Sequence, residues 1–522
     1  MTDALNERLS RRSILKAGVA GAAFLGAGGL GAGCGSSSSP TVTTAASKPK
    51  RGGRLRAGLT GGSSTDTVDA QMQVNFLDQA RLIQLYDSPT AFDLNAHVQL
   101  SLAEELVPNA DASAWTMRVR PDVTFHNGKT LTADDIIFSF QRILNPKAPR
   151  AGAPQIATLD VKNLQKLDSR TVRLPFTSPF SAFYQVLADY LFFMVPVGYD
   201  PKHPIGTGPF KFKSFTPGVE SVFVRNENYW GGAPYIDELV ITDYLDETSQ
   251  VNGLLSSDLD AIDSLSAASI SDLTSQGKVV VLSETGNFTP FTMRCDIPPF
   301  NDVRVRQAMK YLIDRQQMLD LVFGGHGSIG NDLFSVTDPN FDHNIPQREQ
   351  DVQYAKSLLR QAGHSDLTLQ LVTSAIAPGT ELLATVFAQQ AKAAGVTVNL
   401  QQLTPTAYYT NYLKWTFAQD NWSPLYFMTV VSEGQLATSP YNESHFNNPE
   451  FNRLYSHALA SPTQASQRDY VYQMQQIYWD QGGWIIPYFT PFIDAHSPGL
   501  HGVVPSKNVP LSNFGFKNFW FT

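Results

Sequence analysis

From Gly52 onward, short runs with a two-residue period alternate with longer runs of helical period, and this alternation restricts the chain to an α/β or mixed architecture. Leu55, Ala57 and Leu59 alternate with Arg54, Arg56 and Gly58, which predicts a strand with one buried face. Residues 115–120 repeat the pattern, and further strands are predicted at 222–225, 238–243, 278–282, 367–372 and 396–400. Asn127-Gly128 is a tight-turn signal. After it, Thr132 is placed to cap a helix that carries Ile136, Ile137, Phe140, Ile143 and Leu144 at helical spacing. Asp134 and Asp135 sit in its first turn and, being adjacent, point apart, so they do not read as a metal or acid/base pair.

A single helix is predicted over 301–323, with Asn301 as its cap. Its buried stripe is Val305, Ala308, Met309, Leu312, Ile313 and Leu319, with Asp302 and Arg306 as an i,i+4 pair. The run Arg304-Val305-Arg306 reads as a solvated helix face. Later helices are expected at 351–362, 380–394 and 467–479, and no internal repeat is visible. With 522 residues, two or three domains are expected.

The first fifty residues read differently. Ser10-Arg11-Arg12-Ser13-Ile14-Leu15-Lys16 has the twin arginine of a Tat export signal, and residues 17–33 form an uncharged run of small and apolar residues. So much glycine weakens a spanning helix, and a cleaved signal is the better reading than a retained anchor. Leu30-Gly31-Ala32-Gly33-Cys34 resembles a bacterial lipobox, whose cysteine becomes the lipidated first residue, although Gly31 stands where that motif usually has Leu. Residues 35–51, mostly Ser, Thr, Ala, Pro and Lys, read as a flexible tether. The expected segments are thus a signal peptide at 1–33 and a tether at 34–51. The other cysteine, Cys295, is then alone and reads as a small apolar residue. Net charge is -8, and no basic segment follows the first sixteen residues, so a nucleic-acid partner is not expected.

Five ordered motifs carry a family resemblance. Ser101-Leu102-Ala103-Glu104 precedes a stretch from Thr124 through Phe125-His126-Asn127-Gly128-Lys129 to Ile136. Gly206-Thr207-Gly208-Pro209-Phe210 and Arg225-Asn226-Glu227-Asn228-Tyr229-Trp230-Gly231-Gly232 follow. The fifth runs from Pro299 through Asn301-Asp302 to Ala308, with Ile313-Asp314-Arg315 behind it. In order and spacing these resemble the extracytoplasmic solute-binding proteins of family 5, the oligopeptide-, dipeptide- and nickel-binding receptors of ABC importers. The resemblance implies a mixed α/β fold of the type II periplasmic-binding-protein kind, with two lobes, a hinge and an extra inserted domain. It places one lobe at residues 52–92, 205–288 and 494–522, the inserted domain at 93–204 and the second lobe at 289–493. Most of the motif residues read as architectural. Gly206 and Gly208 are expected to form a turn with unusual dihedrals, and Tyr229-Trp230 a packed aromatic pair.

For the site, the resemblance singles out Asp420-Asn421-Trp422-Ser423-Pro424. Its first aspartate, in peptide-binding members, pairs with the ligand's ammonium; Ser423 replaces the second family aspartate. Asp420 therefore reads either as an ammonium partner or as a structural loop acid. Trp422, Trp415, Phe417 and Tyr412, with Tyr408 and Tyr409, serve as ligand walls or as core. Arg294 pairs either with a ligand carboxylate or within the protein. Gly61 and Ser63, in the Gly/Ser-rich loop after the first strand, allow a close ligand approach or form an ordinary turn.

The expected protein is thus an exported lipoprotein, anchored through Cys34 to the outer face of the cytoplasmic membrane, in a periplasm or at a cell surface. It binds a small solute, expected to be a peptide, works with an ABC permease, acts as a monomer and needs no metal or cofactor. An oligosaccharide or a metal chelate is the alternative ligand, and a structural surface lipoprotein is a further alternative. Catalysis is not expected: Gly-x-Ser-x-Gly, His-Glu-x-x-His and P-loop signatures are all missing from the sequence.

Overall fold

Leu55, Ala57 and Leu59 are buried while Arg54 stays exposed, and the strand they form, Arg54–Thr60, runs through an eight-stranded sheet. It pairs in parallel with Glu238–Tyr244 on one side and Ala261–Ile262 on the other. Antiparallel strands extend both flanks: Glu220–Arg225 and Phe210–Thr216 beyond the first, Tyr488–His496 and Val279–Asn287 beyond the second. The structure, a computed structural model, describes residues 48–522 apart from Val74. Arg11, Arg12 and Cys34 lie outside the described residues.

A second, five-stranded sheet takes the order Thr397–Leu403, Thr368–Ser374, Phe417–Gln419, Phe291–Met293, Trp484–Ile485. Three helices, Val303–Tyr311, Val352–Gln361 and Thr380–Ala391, bury Val305, Met309, Leu358, Leu383 and Phe387 in one core with Phe291 and Phe417. Each such side chain contributes roughly 1.5–3 kcal/mol by leaving water. A third sheet, of four strands, lies within residues 103–175 and packs Trp115 and Met117 against Ile136, Phe140 and Ile143 of the helix Ala133–Ile143. Residues 49–522 form one compact unit.

The chain leaves the first sheet after Val279–Asn287 to enter the second at Phe291–Met293, and returns from Trp484–Ile485 into Tyr488–His496. The two long strands are hydrogen-bonded antiparallel, and their register shifts between Ser283 and Asn287. Such an irregularity bends a strand pair at the place where the chain changes sheets.

The predicted helix at 301–323 is in fact two, Val303–Tyr311 and Arg315–Phe323. Asp302 and Asp314, not Asn301, are the caps, accepting the N–H groups of Arg304 and Gln317. Asp302 also pairs with Arg304 rather than Arg306. The reason is burial: Arg306 is turned inward, where its guanidinium donates to the carbonyls of Phe300 and Gln481.

Asp134 and Asp135 do diverge, to Lys166 at 2.7 Å and Lys129 at 2.5 Å. The glycine motif needs its glycines for space and not for dihedrals. Neither Gly206 nor Gly208 has a positive φ, but a Cβ on Gly206 would stand 2.0 Å from the Leu85 carbonyl oxygen, and one on Gly208 2.5 Å from that of Gln84. Around this close approach the motifs interlock. The His126 ring bonds to the Gly208 carbonyl through Nε2 at 3.1 Å and accepts from the Gly206 N–H through Nδ1 at 3.3 Å. That pattern needs a neutral ring, and burial holds the His126 pKa down at about 4. Thr207, Tyr229 and Trp230 all donate to the carboxylate of Asp87. No helix among the described residues is long and apolar enough to cross a membrane.

Candidate ligand-binding site

Strand alternation sorts the segment that the sequence singles out. Phe417 points into the core with Phe291, Phe300 and Phe387, while Ala418 faces Val372 and Tyr408 on the other side of the sheet. Phe417 is thus a core residue. Asp420 follows the strand and is 5% exposed. The Tyr412 hydroxyl lies 2.7 Å from Asp420 Oδ2 and 2.7 Å from Glu443 Oε1, and Trp422 Nε1 donates to the same Glu443 oxygen at 3.2 Å. One hydroxyl has one hydrogen, so the second contact needs a proton from a carboxyl group. Glu443 supplies it: burial, then the neighbouring Asp420 charge, holds its carboxyl well above the usual range. The protonated Glu443 is also hydrogen-bonded to Asp420 directly, so Tyr412, Glu443 and Asp420 form one buried cluster.

The other predicted residues go elsewhere. The Trp415 indole donates to the Tyr408 carbonyl at 3.2 Å and packs beside the Tyr408 ring. Trp422 is buried against Trp484, with Tyr441 at its edge. Arg294 makes a two-pronged pair with Asp296, both contacts 2.7 Å, which is the intramolecular reading of that residue. The Gly61–Ser63 loop is tied inward: Ser63 Oγ donates to Asp66, and Asp66 binds the fully buried Arg81, which also holds Asp78 and Asp243.

The large cavity lies beside this network. Its volume is about 540 Å³, and its walls come from three sets of residues, the first drawn from two stretches of chain. Gln73, Phe76, Gln79, Asn508 and Val509 belong to the first, Gln155, Gln185, Asp189 and Tyr190 to the second, and Leu425, Tyr426, Glu433 and Tyr441 to the third. A smaller space of about 270 Å³ shares Gln155, Val186, Thr429 and Glu433 with it. None of the eight predicted ligand residues lines the large cavity; Ser423 and Pro424, directly after Trp422, do. The wall residues Gln73, Gln79, Gln185, Asp189 and Glu433 lie in no motif. The one local signal near them is the density of aromatic residues from 408 to 427.

Several contacts tie the three sets together. The Tyr426 hydroxyl donates to the Ala96 carbonyl at 2.8 Å and accepts the Val98 N–H at 3.1 Å. Ser181 donates to the Ala458 carbonyl and accepts from Gln467. Asn508 Nδ2 donates to the Tyr190 hydroxyl at 2.6 Å.

A cavity with amide and aromatic lining has the chemistry of a small-molecule site. The match to known proteins gives the protein's family: the model for bacterial extracellular solute-binding proteins, family 5 (middle) covers residues 97–434, and the chain belongs to that family. It is 27% identical over 470 residues to heme-binding protein A of Haemophilus influenzae, covering 81% of this chain and 83% of that protein. It is 26% identical over 459 residues to di/tripeptide-binding protein 2 of Pseudomonas aeruginosa, covering 80% and 86%. The solved structure of the ABC transporter substrate-binding protein CtaP of Listeria monocytogenes superposes with a TM-score of 0.80 at 20% identity, over 91% of this chain and 100% of that one. The fold is the mixed α/β, type II periplasmic-binding-protein fold of that family.

Proposed function

We propose that the protein is the exported lipoprotein receptor of an ABC importer and captures a peptide-like solute in the cavity of about 540 Å³. The cavity carries this reading, because its walls belong to stretches that a hinge could bring together and part. The chain crossings at 287–291 and 485–488 are the proposed hinge. The lobes it joins are 52–92 with 205–288 and the C-terminal segment, which starts at Tyr488 rather than at 494 because Tyr488–His496 lies in the first sheet, and the stretch from 289 up to that strand, with 93–204 inserted. In the peptide reading, the open cleft extends beyond that cavity to Asp420, and the ligand's ammonium replaces the Tyr412 hydroxyl that covers its carboxylate here. Cys34 carries the lipid, and Arg11 and Arg12 direct export.

An uncharged oligosaccharide is the second reading. One observation favours it: among the described residues no lysine, arginine or histidine lines the cavity, so no cationic side chain there would meet a peptide's carboxylate.

Mass spectrometry of solute released from the protein purified from its own host, followed by calorimetry with that solute, tests the receptor role. A stoichiometric complex that becomes more compact on binding is expected. A protein that releases nothing and binds neither peptides nor oligosaccharides would be a structural lipoprotein instead. Cys34→Ala is expected to free the folded protein from membranes, since stable anchoring needs more than one acyl chain and this residue would carry all of them.

A further inference from the structure

Two acids face the cavity without a basic partner. Asp189 lies just beyond the helical turn Phe183–Val186, and Glu433 lies in the last turn of the helix Phe427–Gly434. Asp189 accepts a hydrogen bond from Gln155 Nε2 at 3.3 Å. Among the described residues, the charged group acting on Glu433 is Asp189 itself, another acid. Burial pushes both carboxyls up, Glu433 to about 7, with the charge of Asp189 as the second cause there. Unpaired acids in such a place carry a desolvation cost that a counter-ion would relieve.

Amide groups on the same walls are also unsatisfied. Gln79 is 2% exposed, yet its Nε2 has no hydrogen-bond partner among the described residues. The Oε1 atoms of Gln73 and Gln185 are buried and equally without partners. Such buried orphans are costly unless a solute satisfies them. All three side chains line the cavity. Asp189 already accepts from Gln155 and from the backbone N–H groups of Tyr190 and Leu191, so the unmet groups are the Glu433 carboxyl and two amide oxygens, which accept, and one amide N–H group, which donates.

We infer that the captured solute carries a cationic nitrogen group, a guanidinium or an ammonium, held between Asp189 and Glu433 with the amide oxygens of Gln185 and Gln73 as further acceptors. A guanidinium has five N–H donors and no acceptor, which complements a wall of acceptors. Gln79 Nε2 is left to donate to a carbonyl or hydroxyl elsewhere on the solute. This inference rests on the receptor reading and narrows it to one ligand class: a basic peptide is accepted, while an uncharged sugar leaves both acids unpaired.

The test is calorimetry at pH 7.5 with the tripeptide Ala-Arg-Ala and its uncharged counterpart, in which citrulline replaces arginine. The native protein is expected to prefer the arginine peptide by about 30-fold or more, the usual scale for a desolvated charge pair. Glu433→Gln and Asp189→Asn are each expected to remove most of that preference. Neither variant should unfold, because each replaces a poorly solvated acid with its neutral isostere, and thermal denaturation checks this. Equal affinities for the two peptides, or a preference that survives both substitutions, overturn the inference. So does a neutral solute released from the native protein, an outcome that leaves the receptor role standing. A protein that binds no solute of any kind loses both readings together.

Discussion

Tyr412 Oη stands 2.7 Å from Asp420 Oδ2, so the acid that the family resemblance assigns to a ligand ammonium is closed off here by a side chain of the same segment. Glu443, Tyr412 and Asp420 are joined in one hydrogen-bonded cluster. Tyr412→Phe removes the hydroxyl from it and leaves two buried acids facing each other. It is expected to cost about 1–3 kcal/mol in urea unfolding at pH 7. Glu443→Gln preserves a donor toward Tyr412 and alters a group that is already neutral, so its cost should stay below about 1 kcal/mol. A Glu443→Gln variant as unstable as Tyr412→Phe would show that Glu443 is ionised and the proton count wrong.

Ligand binding separates the two roles open to Asp420. If an ammonium displaces the Tyr412 hydroxyl, Asp420→Asn deprives it of its counter-ion. The expected loss is roughly 2–5 kcal/mol, about 30-fold to several thousand-fold in affinity. N-acetylation of the peptide removes the same interaction from the other side, so the two changes should not add. Calorimetry with free and acetylated peptide on native and variant protein measures this. Equal affinities in all four combinations would leave Asp420 as a structural acid of the Tyr412 network.

Local pattern made some of this legible. The strand Arg54–Thr60 can be read because its burial alternates within seven residues, and Thr132 with Asp135 marks a helix start by neighbouring chemistry. The break near Asp314 could not be read, because the apolar stripe continues through Leu312 and Ile313 and hides a second cap. The motif glycines reveal the family, but what they approach, the backbone of Gln84 and Leu85, lies more than a hundred residues away in the chain. The cavity wall was hidden for the same reason. Gln79, Gln185 and Glu433 look like ordinary surface residues of helices until three distant stretches converge on one space. The aromatic-rich run up to Phe427 did mark one wall residue, Tyr426.

Asp494 gives a pH signature. It is 1% exposed; its Oδ2 accepts the Leu511 N–H at 2.7 Å, and its Oδ1 makes no full hydrogen bond among the described residues. Burial pushes its pKa up to about 8. The folded protein therefore keeps a proton that the unfolded chain releases above about pH 4. Stability from this group is fully present below that value and falls as pH rises to about 8, by at most roughly 1.4 kcal/mol per unit. Asp494→Asn can still accept from Leu511 and cannot ionise. Urea unfolding at pH 5, 6.5 and 8 should show the variant gaining on the native protein as pH rises. A constant difference across the three values would mean that Asp494 is ionised throughout.

The last prediction concerns closure. Tyr426 and Phe92 both line the cavity, with rings 5.8 Å apart edge to face, and the Tyr426 hydroxyl bridges the Ala96 carbonyl and the Val98 N–H. Ala96 has a φ of 64°, so this turn holds a non-glycine residue in the left-handed region. If the lobes part, the tyrosine and both backbone groups regain water and little is lost. In the closed form, removing the hydroxyl leaves a carbonyl and an N–H unpaired. Tyr426→Phe should thus weaken closure and spare the open protein. Two hydrogen bonds at about 0.5–1.5 kcal/mol each put the expected drop in affinity at roughly 5-fold to 100-fold. The ligand-free melting temperature should change little, and small-angle scattering should require more ligand to reach the compact form. A variant with native affinity but a lowered ligand-free melting temperature would show that these contacts persist in the open protein and do not report on closure.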